Sequence, residues 1–144
     1  MVKASQYDVI IVGAGMVGAA AACLLARSSL SYKSEPITIA LVDARIADPF
    51  NAEQFDPRVA AVTESSRHLL ERCGVWGVVE AKRVSAYEAM EVWDAEGTGR
   101  IHFDCHDIHQ PNLGHIVENS LLVGALLQEV AVQPSISFIC PVTI

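Results

Sequence analysis

From Val9 to Ala26 the chain reads VIIVGAGMVGAAAACLLA without one charged side chain. An apolar run of about 18 residues is long enough for a membrane span or a secretory signal core. The residues inside and around it argue against both. Asp8 stands where a signal would be basic, only Lys3 brings positive charge upstream, and Arg27 closes the run with no flanking aromatic belt. The run also changes character in the middle. Val9, Ile10, Ile11 and Val12 are β-branched, whereas the second half is alanine-rich with Leu24 and Leu25. These are a buried strand and a helix, hinged at Gly13-Ala14-Gly15-Met16-Val17-Gly18.

A hinge of this composition suits a diphosphate. Gly13 lets the chain turn sharply out of the strand, and Gly15 has no Cβ to hold a pyrophosphate off the backbone. Gly18 lets the helix lie close to the sheet, and Met16 and Val17 begin a helix whose first amides and positive dipole end are free for an anion. The motif alone is weak, but a second apolar strand from Ile37 to Val42 follows and ends in Asp43. A carboxylate there accepts hydrogen bonds from both hydroxyls of an adenosine ribose and repels an extra 2′-phosphate. Ser28 to Pro36 reads as a loop or frayed helix end. It stretches the interval to Asp43 beyond the usual ~20 residues.

The remaining sequence bounds the function further. A chain of 144 residues fits one domain with a sizeable core, and 51% hydrophobic residues exclude disorder. The formal charge of −7, with no Lys/Arg cluster, excludes a nucleic-acid surface. Cys23, Cys73, Cys105 and Cys140 form no CxxC pair, so neither a zinc ribbon nor a dithiol redox motif is expected; reduced thiols in a cytoplasmic protein are.

Downstream, Ala44 to Pro57 lacks periodicity and reads as a surface excursion. Thr63 caps a helix over Glu64 to Cys73 that buries Leu69 and Leu70 and stops at Gly74. Met90 to Asp94 and Arg100 to Asp104 read as a hairpin turned at Glu96 to Gly99. Asn119 caps a further helix carrying Leu122, Leu126 and Leu127, ahead of a strand from Ile136 to Cys140. Trp76 and Trp93 are expected in the core. The order predicts an α/β fold: a Rossmann-like parallel sheet with an antiparallel hairpin insert. Because the chain stops in apolar sequence with no closing helix, an incomplete domain of a larger protein is expected.

Three blocks, DVIIVGAGMVGAAAACLLA, DPRVAAVTESSRHLLERCGVW and MEVWD…GRIHFD…LGHIVENSLLVGALL, together resemble the FAD-dependent aromatic hydroxylases of ubiquinone biosynthesis, relatives of para-hydroxybenzoate hydroxylase. The likeness covers nearly the entire chain but only about the first third of such an enzyme. It implies FAD as cofactor, with Gly13, Gly15, Met16, Val17 and Gly18 at the pyrophosphate and Asp43 at the adenosine ribose. By the same resemblance Arg58 lies along the cofactor, with Val59 to Val62 running toward the flavin, and Asn119 reaches FAD. Arg45, beside Asp43, is a candidate at the adenine. Each has a plainer reading: Arg58 as a surface cation next to Asp56, Asn119 as a helix cap, Arg45 as a solvated side chain.

The resemblance further implies an NADPH- or NADH-driven monooxygenase acting on a polyprenylated phenol or quinol. Association with the inner membrane periphery or with other enzymes of the pathway follows from it, and homo-oligomerisation stays open. The family's second FAD motif, of GDAAH type, and its substrate domain are absent from this sequence, so the chain alone is expected to lack catalysis. Two alternatives remain: another FAD- or NAD-dependent dehydrogenase or oxidase, and an inactive nucleotide-binding fragment. No catalytic acid or base is assigned. His102, Cys105, His106 and His109 with Asp104 and Asp107 are dense in potential ligands, but their spacing fits no metal motif, and no metal is expected.

Overall fold

The computed structural model describes residues 6–28, 31–32 and 35–143. β1 (Val9–Val12) leads through the glycine hinge into α1 (Met16–Arg27), so the apolar run is a strand and a helix with the boundary at the glycines. A short antiparallel pair, β2 (Ser31–Tyr32) and β3 (Glu35–Pro36), falls where a loop is expected; residues 29–30 and 33–34 of that loop lie outside the described residues. β4 (Ile39–Val42) then pairs in parallel with β1, Val9 opposite Ile39 and Val12 opposite Val42. Asp8 pins this register, because its Oδ2 accepts from Thr38 N at 2.7 Å and from Thr38 Oγ1 at 2.8 Å.

Residues 43–58 form no helix or strand. Beyond them come β5 (Val59–Thr63), α2 (Glu64–Arg72), α3 (Trp76–Glu80), β6 (Val84–Tyr87), β7 (Ala89–Trp93) and β8 (Arg100–Asp104). A 3₁₀ turn at Cys105–Ile108, β9 (Gly114–Glu118), α4 (Asn119–Val132) and β10 (Ile136–Ile139) complete the order. The parallel sheet runs β1-β4-β10, β7 and β8 form the expected hairpin, and a second, antiparallel sheet runs β5-β9-β6. The fold is therefore α/β with a parallel sheet. The sequence reading missed the second sheet because VAAVT, VSAY and GHIVE are short, and two carry small residues in place of a clear alternation.

The core lies where α1 and α4 meet between the two sheets. α4 is apolar over most of its circumference, with Gln128 and Glu129 as its polar exception toward the C-terminal end, and it contacts α1, α3, β9 and β10. Leu121, Leu122 and Leu126 are fully buried, as are Ile39 and Leu41 of β4. Cys23 and Cys73 are buried free thiols; burial first, then the nearby Cys73 sulfur, pushes Cys23 up to about 12, which makes it inert packing.

Three expectations need correction. Leu69 stays substantially exposed on α2, and only Leu70 turns into the core. Trp76 is buried, but Trp93 is 67% exposed, because it sits at the end of a two-stranded ribbon that no other described strand extends. Asn119 is the first residue of α4 and not its cap; Glu118 holds the N-cap position without a side-chain cap bond. By contrast, Thr63 does cap α2, its Oγ1 accepting from Ser66 N at 3.3 Å.

Candidate nucleotide cleft

The hinge owes its shape to two glycines. Gly13 has φ +100°, a left-handed value, and its amide donates to Val42 O at 2.7 Å, docking the turn on the end of β4. A Cβ on Gly18 would sit 1.9 Å from the Gly13 carbonyl oxygen, so α1 can approach the turn only without a side chain there. Gly15 is different: a Cβ on it would meet nothing within 4 Å. The protein does not need glycine at position 15 for its own packing. A ligand lying against the main chain at that point would.

Helix N-termini show the same asymmetry. α2 carries Thr63 as cap and Glu64 in its first turn. α4 receives Asp56, whose Oδ2 accepts from Ser120 N at 3.0 Å. Among the described residues α1 has neither a side-chain cap nor an acidic residue in its first turn, so the amides of that turn take no side-chain partner. Such an end is disposed to take an anion.

Because β1 and β4 are adjacent and parallel, Asp43 emerges directly beside the hinge. Its Oδ2 accepts from Ala14 N at 2.6 Å and its Oδ1 from Arg45 N at 2.9 Å. The Arg45 amide, followed by that of Ala14, holds this carboxyl below the usual carboxylate range. The group is thus an anion with further acceptor capacity at the mouth of the turn.

A cleft of about 300 Å³ opens here, and Gly15, Asp43, Arg45, Arg58, Asn119 and Ser120 are among its lining residues. Five of the residues singled out from the sequence therefore share one concave surface, although Arg58 and Asn119 are remote from the hinge in sequence. Arg58 sits between Asp48 at 3.5 Å and Asp56 at 3.6 Å and is 63% exposed, a loosely held cation with reach into the cleft. Its carbonyl accepts from Asn119 N at 2.9 Å, which ties the two positions together. Met16 and Val17 turn their side chains away, into a separate apolar groove beside Ala60 to Val62, so only their main chain faces the hinge. Gly13 and Gly18 shape the turn from beneath and do not line the cleft.

Sequence reasoning missed Asp48, Ser120 and Phe138 in the lining. Nor did it single out Glu118, which is 5% exposed and joined to Arg83. No local pattern announces a pair separated by 35 positions.

Elsewhere, ligand atoms of Asp104, Cys105 and His106 lie within 4.8 Å of one another. Capping accounts for that closeness: Asp104 accepts from His106 N at 2.8 Å to start the 3₁₀ turn, and the same oxygen lies 2.7 Å from His106 Nδ1. His115 packs edge-on against Trp76 with ring centroids 5.2 Å apart, and its Nδ1 is 3.7 Å from Glu64.

No protein-family model matches the chain. It is 37% identical over 126 residues to ubiquinone biosynthesis monooxygenase COQ6 of Xenopus tropicalis, a match covering 85% of this chain and 26% of that protein. It is 34% identical over 135 residues to 3-demethoxyubiquinol 3-hydroxylase of Escherichia coli K12, covering 93% of this chain and 32% of that one. The chain thus spans between a quarter and a third of the length of these relatives. Among solved structures it superposes on PqsL, a probable FAD-dependent monooxygenase from Pseudomonas aeruginosa, with TM-score 0.64 and 16% identity over 94% of this chain and 33% of that one. Aklavinone-11 hydroxylase, solved with FAD and aklavinone, gives TM-score 0.57 and 21% identity over 94% of this chain and 26% of that one. The structural matches establish the fold. The sequence matches bear out the resemblance to the ubiquinone-biosynthesis hydroxylases across most of this chain.

Proposed function

We propose that this chain is the FAD-binding part of an aromatic-ring monooxygenase that hydroxylates a polyprenyl phenol or quinol in ubiquinone biosynthesis, with NADPH or NADH as reductant and O₂ as oxidant. The observation that carries the reading is that α1 opens with no side-chain cap and no acidic residue in its first turn, beside Asp43 at the end of β4. In this assignment the amides of Gly15, Met16 and Val17 receive the pyrophosphate, and Asp43 receives the adenosine ribose. Arg58 and Arg45 supply positive charge along the cleft, and Asn119, also in its lining, offers an amide side chain. The open space where a Gly15 Cβ would stand is the fit expected of a cradle for a diphosphate.

When bound, FAD supplies the redox and oxygen chemistry, and the chain's residues hold and orient it. No acid or base in this chain is assigned to the reaction. The relatives named for ubiquinone biosynthesis support the substrate class. A position at the periphery of the inner membrane goes with that proposed substrate class; among the described residues no helix is long and apolar enough to cross a membrane.

The test is to purify the chain and titrate it with FAD. A yellow protein absorbing near ~450 nm, or one that takes up FAD on titration, is expected of a flavoprotein. Asp43→Ala should weaken FAD binding about tenfold to a hundredfold, the worth of hydrogen bonds to a charged group. Unchanged affinity removes Asp43 from the site, and a colourless chain that FAD never saturates sinks the assignment.

A further inference from the structure

We propose that Arg83, which does not line the cleft, is a positioning residue for it: through Glu118 and Asp56 it sets where Arg58 and the start of α4 stand. This rests on the reading of the cleft as an FAD site. Arg83 lies between α3 and β6, and its guanidinium spends its donors on one carboxylate and three carbonyls. Nε donates to Glu118 Oε2 at 2.8 Å and Nη2 to Oε1 at 3.3 Å. Nη1 reaches Ala52 O at 3.3 Å, and Nη2 reaches Asn51 O at 3.1 Å and Gln54 O at 3.2 Å. The plane also lies over Phe55, 4.2 Å from the ring centroid, and near Phe50 at 5.3 Å.

From there the path to the cleft is continuous. Glu118 Oε1 accepts from Asp56 N at 2.5 Å. Asp56 then divides its two oxygens, Oδ1 taking Arg58 N at 2.9 Å and Oδ2 taking Ser120 N at 3.0 Å. Arg58, Asn119 and Ser120 all line the cleft, whereas Arg83, Glu118 and Asp56 do not. Residues 43–58 have no sheet or helix ladder to order them, so these bonds are what fixes the segment that presents Arg58. A guanidinium suits this because its five donors diverge in a fixed plane; an ammonium, with three rotatable donors, cannot reproduce the set.

The experiment compares FAD dissociation constants, from flavin fluorescence, with melting temperatures and with hydrogen exchange at the Asp56 and Ser120 amides. Arg83→Met should weaken FAD binding at least tenfold and speed exchange at both amides. Because it strands the buried Glu118 carboxylate, it is paired with the double variant Arg83→Met/Glu118→Leu, which leaves no unpaired buried charge although it also frees the Asp56 amide. The double variant should melt above Arg83→Met yet bind FAD as poorly. Arg83→Lys, which keeps the charge beside Glu118, should remain at least fivefold weaker than the parent. A double variant or Arg83→Lys at parental affinity overturns the proposal while leaving the FAD reading in place. A parent chain that binds no FAD overturns that reading, and this proposal with it.

Discussion

At the scale of single residues, the glycines of the hinge separate what the fold requires from what the proposed FAD site would require. Gly18→Ala forces a methyl to 1.9 Å from a backbone oxygen, and since the neighbour is main chain, the helix must shift. A loss of about 1–3 kcal/mol is expected, read as a lowered melting temperature without any ligand present. Gly15→Ala meets no such obstacle, and its stability should stay within about 1 kcal/mol of the parent. Its FAD affinity should nonetheless fall, because the methyl would occupy the diphosphate's approach to the main chain. Equal affinity for Gly15→Ala and parent would place the diphosphate elsewhere. The turn at Gly13, the close helix approach at Gly18 and the place of Asp43 at the end of β4 were legible in the sequence because they depend on the backbone and on position along it. Arg83 and Glu118 were not, since a long side chain can meet a partner from anywhere in the chain.

At the scale of elements, the helix starts show where local reading succeeds and where it stops. Thr63 was recognisable as a cap because the bond it makes spans three residues. α4 looked equally legible, with Asn119 in cap position, yet its carboxylate cap is Asp56, 64 positions upstream. Asn119→Ala should therefore leave the melting temperature unchanged, whereas Asp56→Ala should lower it. The Arg58 amide, and after it the Ser120 bonds and the Arg58 charge, hold the Asp56 carboxyl below its ordinary value against the opposing effect of burial. A carboxyl depressed in the folded state stabilises above its unfolded value near ~4 and loses that contribution as pH falls through the folded one. The gap in melting temperature between parent and Asp56→Ala should thus be constant from pH 7 to about pH 5 and close on further acidification. A gap that widened in acid would mean that the ionised form of Asp56 is not the one α4 uses.

At the scale of the whole molecule, the parallel sheet was readable from its apolar runs, and the antiparallel one was not, because β5 and β9 find each other across some fifty residues and neither short strand shows a clear apolar alternation. The parallel sheet also carries an imbalance. Val9 and Ile11 pack on the core, while Ile10 and Val12, on the opposite face of edge strand β1, are 63% and 65% exposed. Parallel sheets are stable with both faces covered, and burying two such side chains gains about 1–2 kcal/mol each. A two-fold contact between copies would count that gain twice, since the same patch is used on both sides. The chain on its own should accordingly self-associate with rising concentration in sedimentation velocity, through the β1 face. Ile10→Thr with Val12→Thr keeps β-branched residues in the strand, removes the apolar surface, and should return the species to a 15.5 kDa monomer. If the parent already sediments as a monomer at all concentrations, or if the double variant associates equally well, that face is not the one through which copies meet.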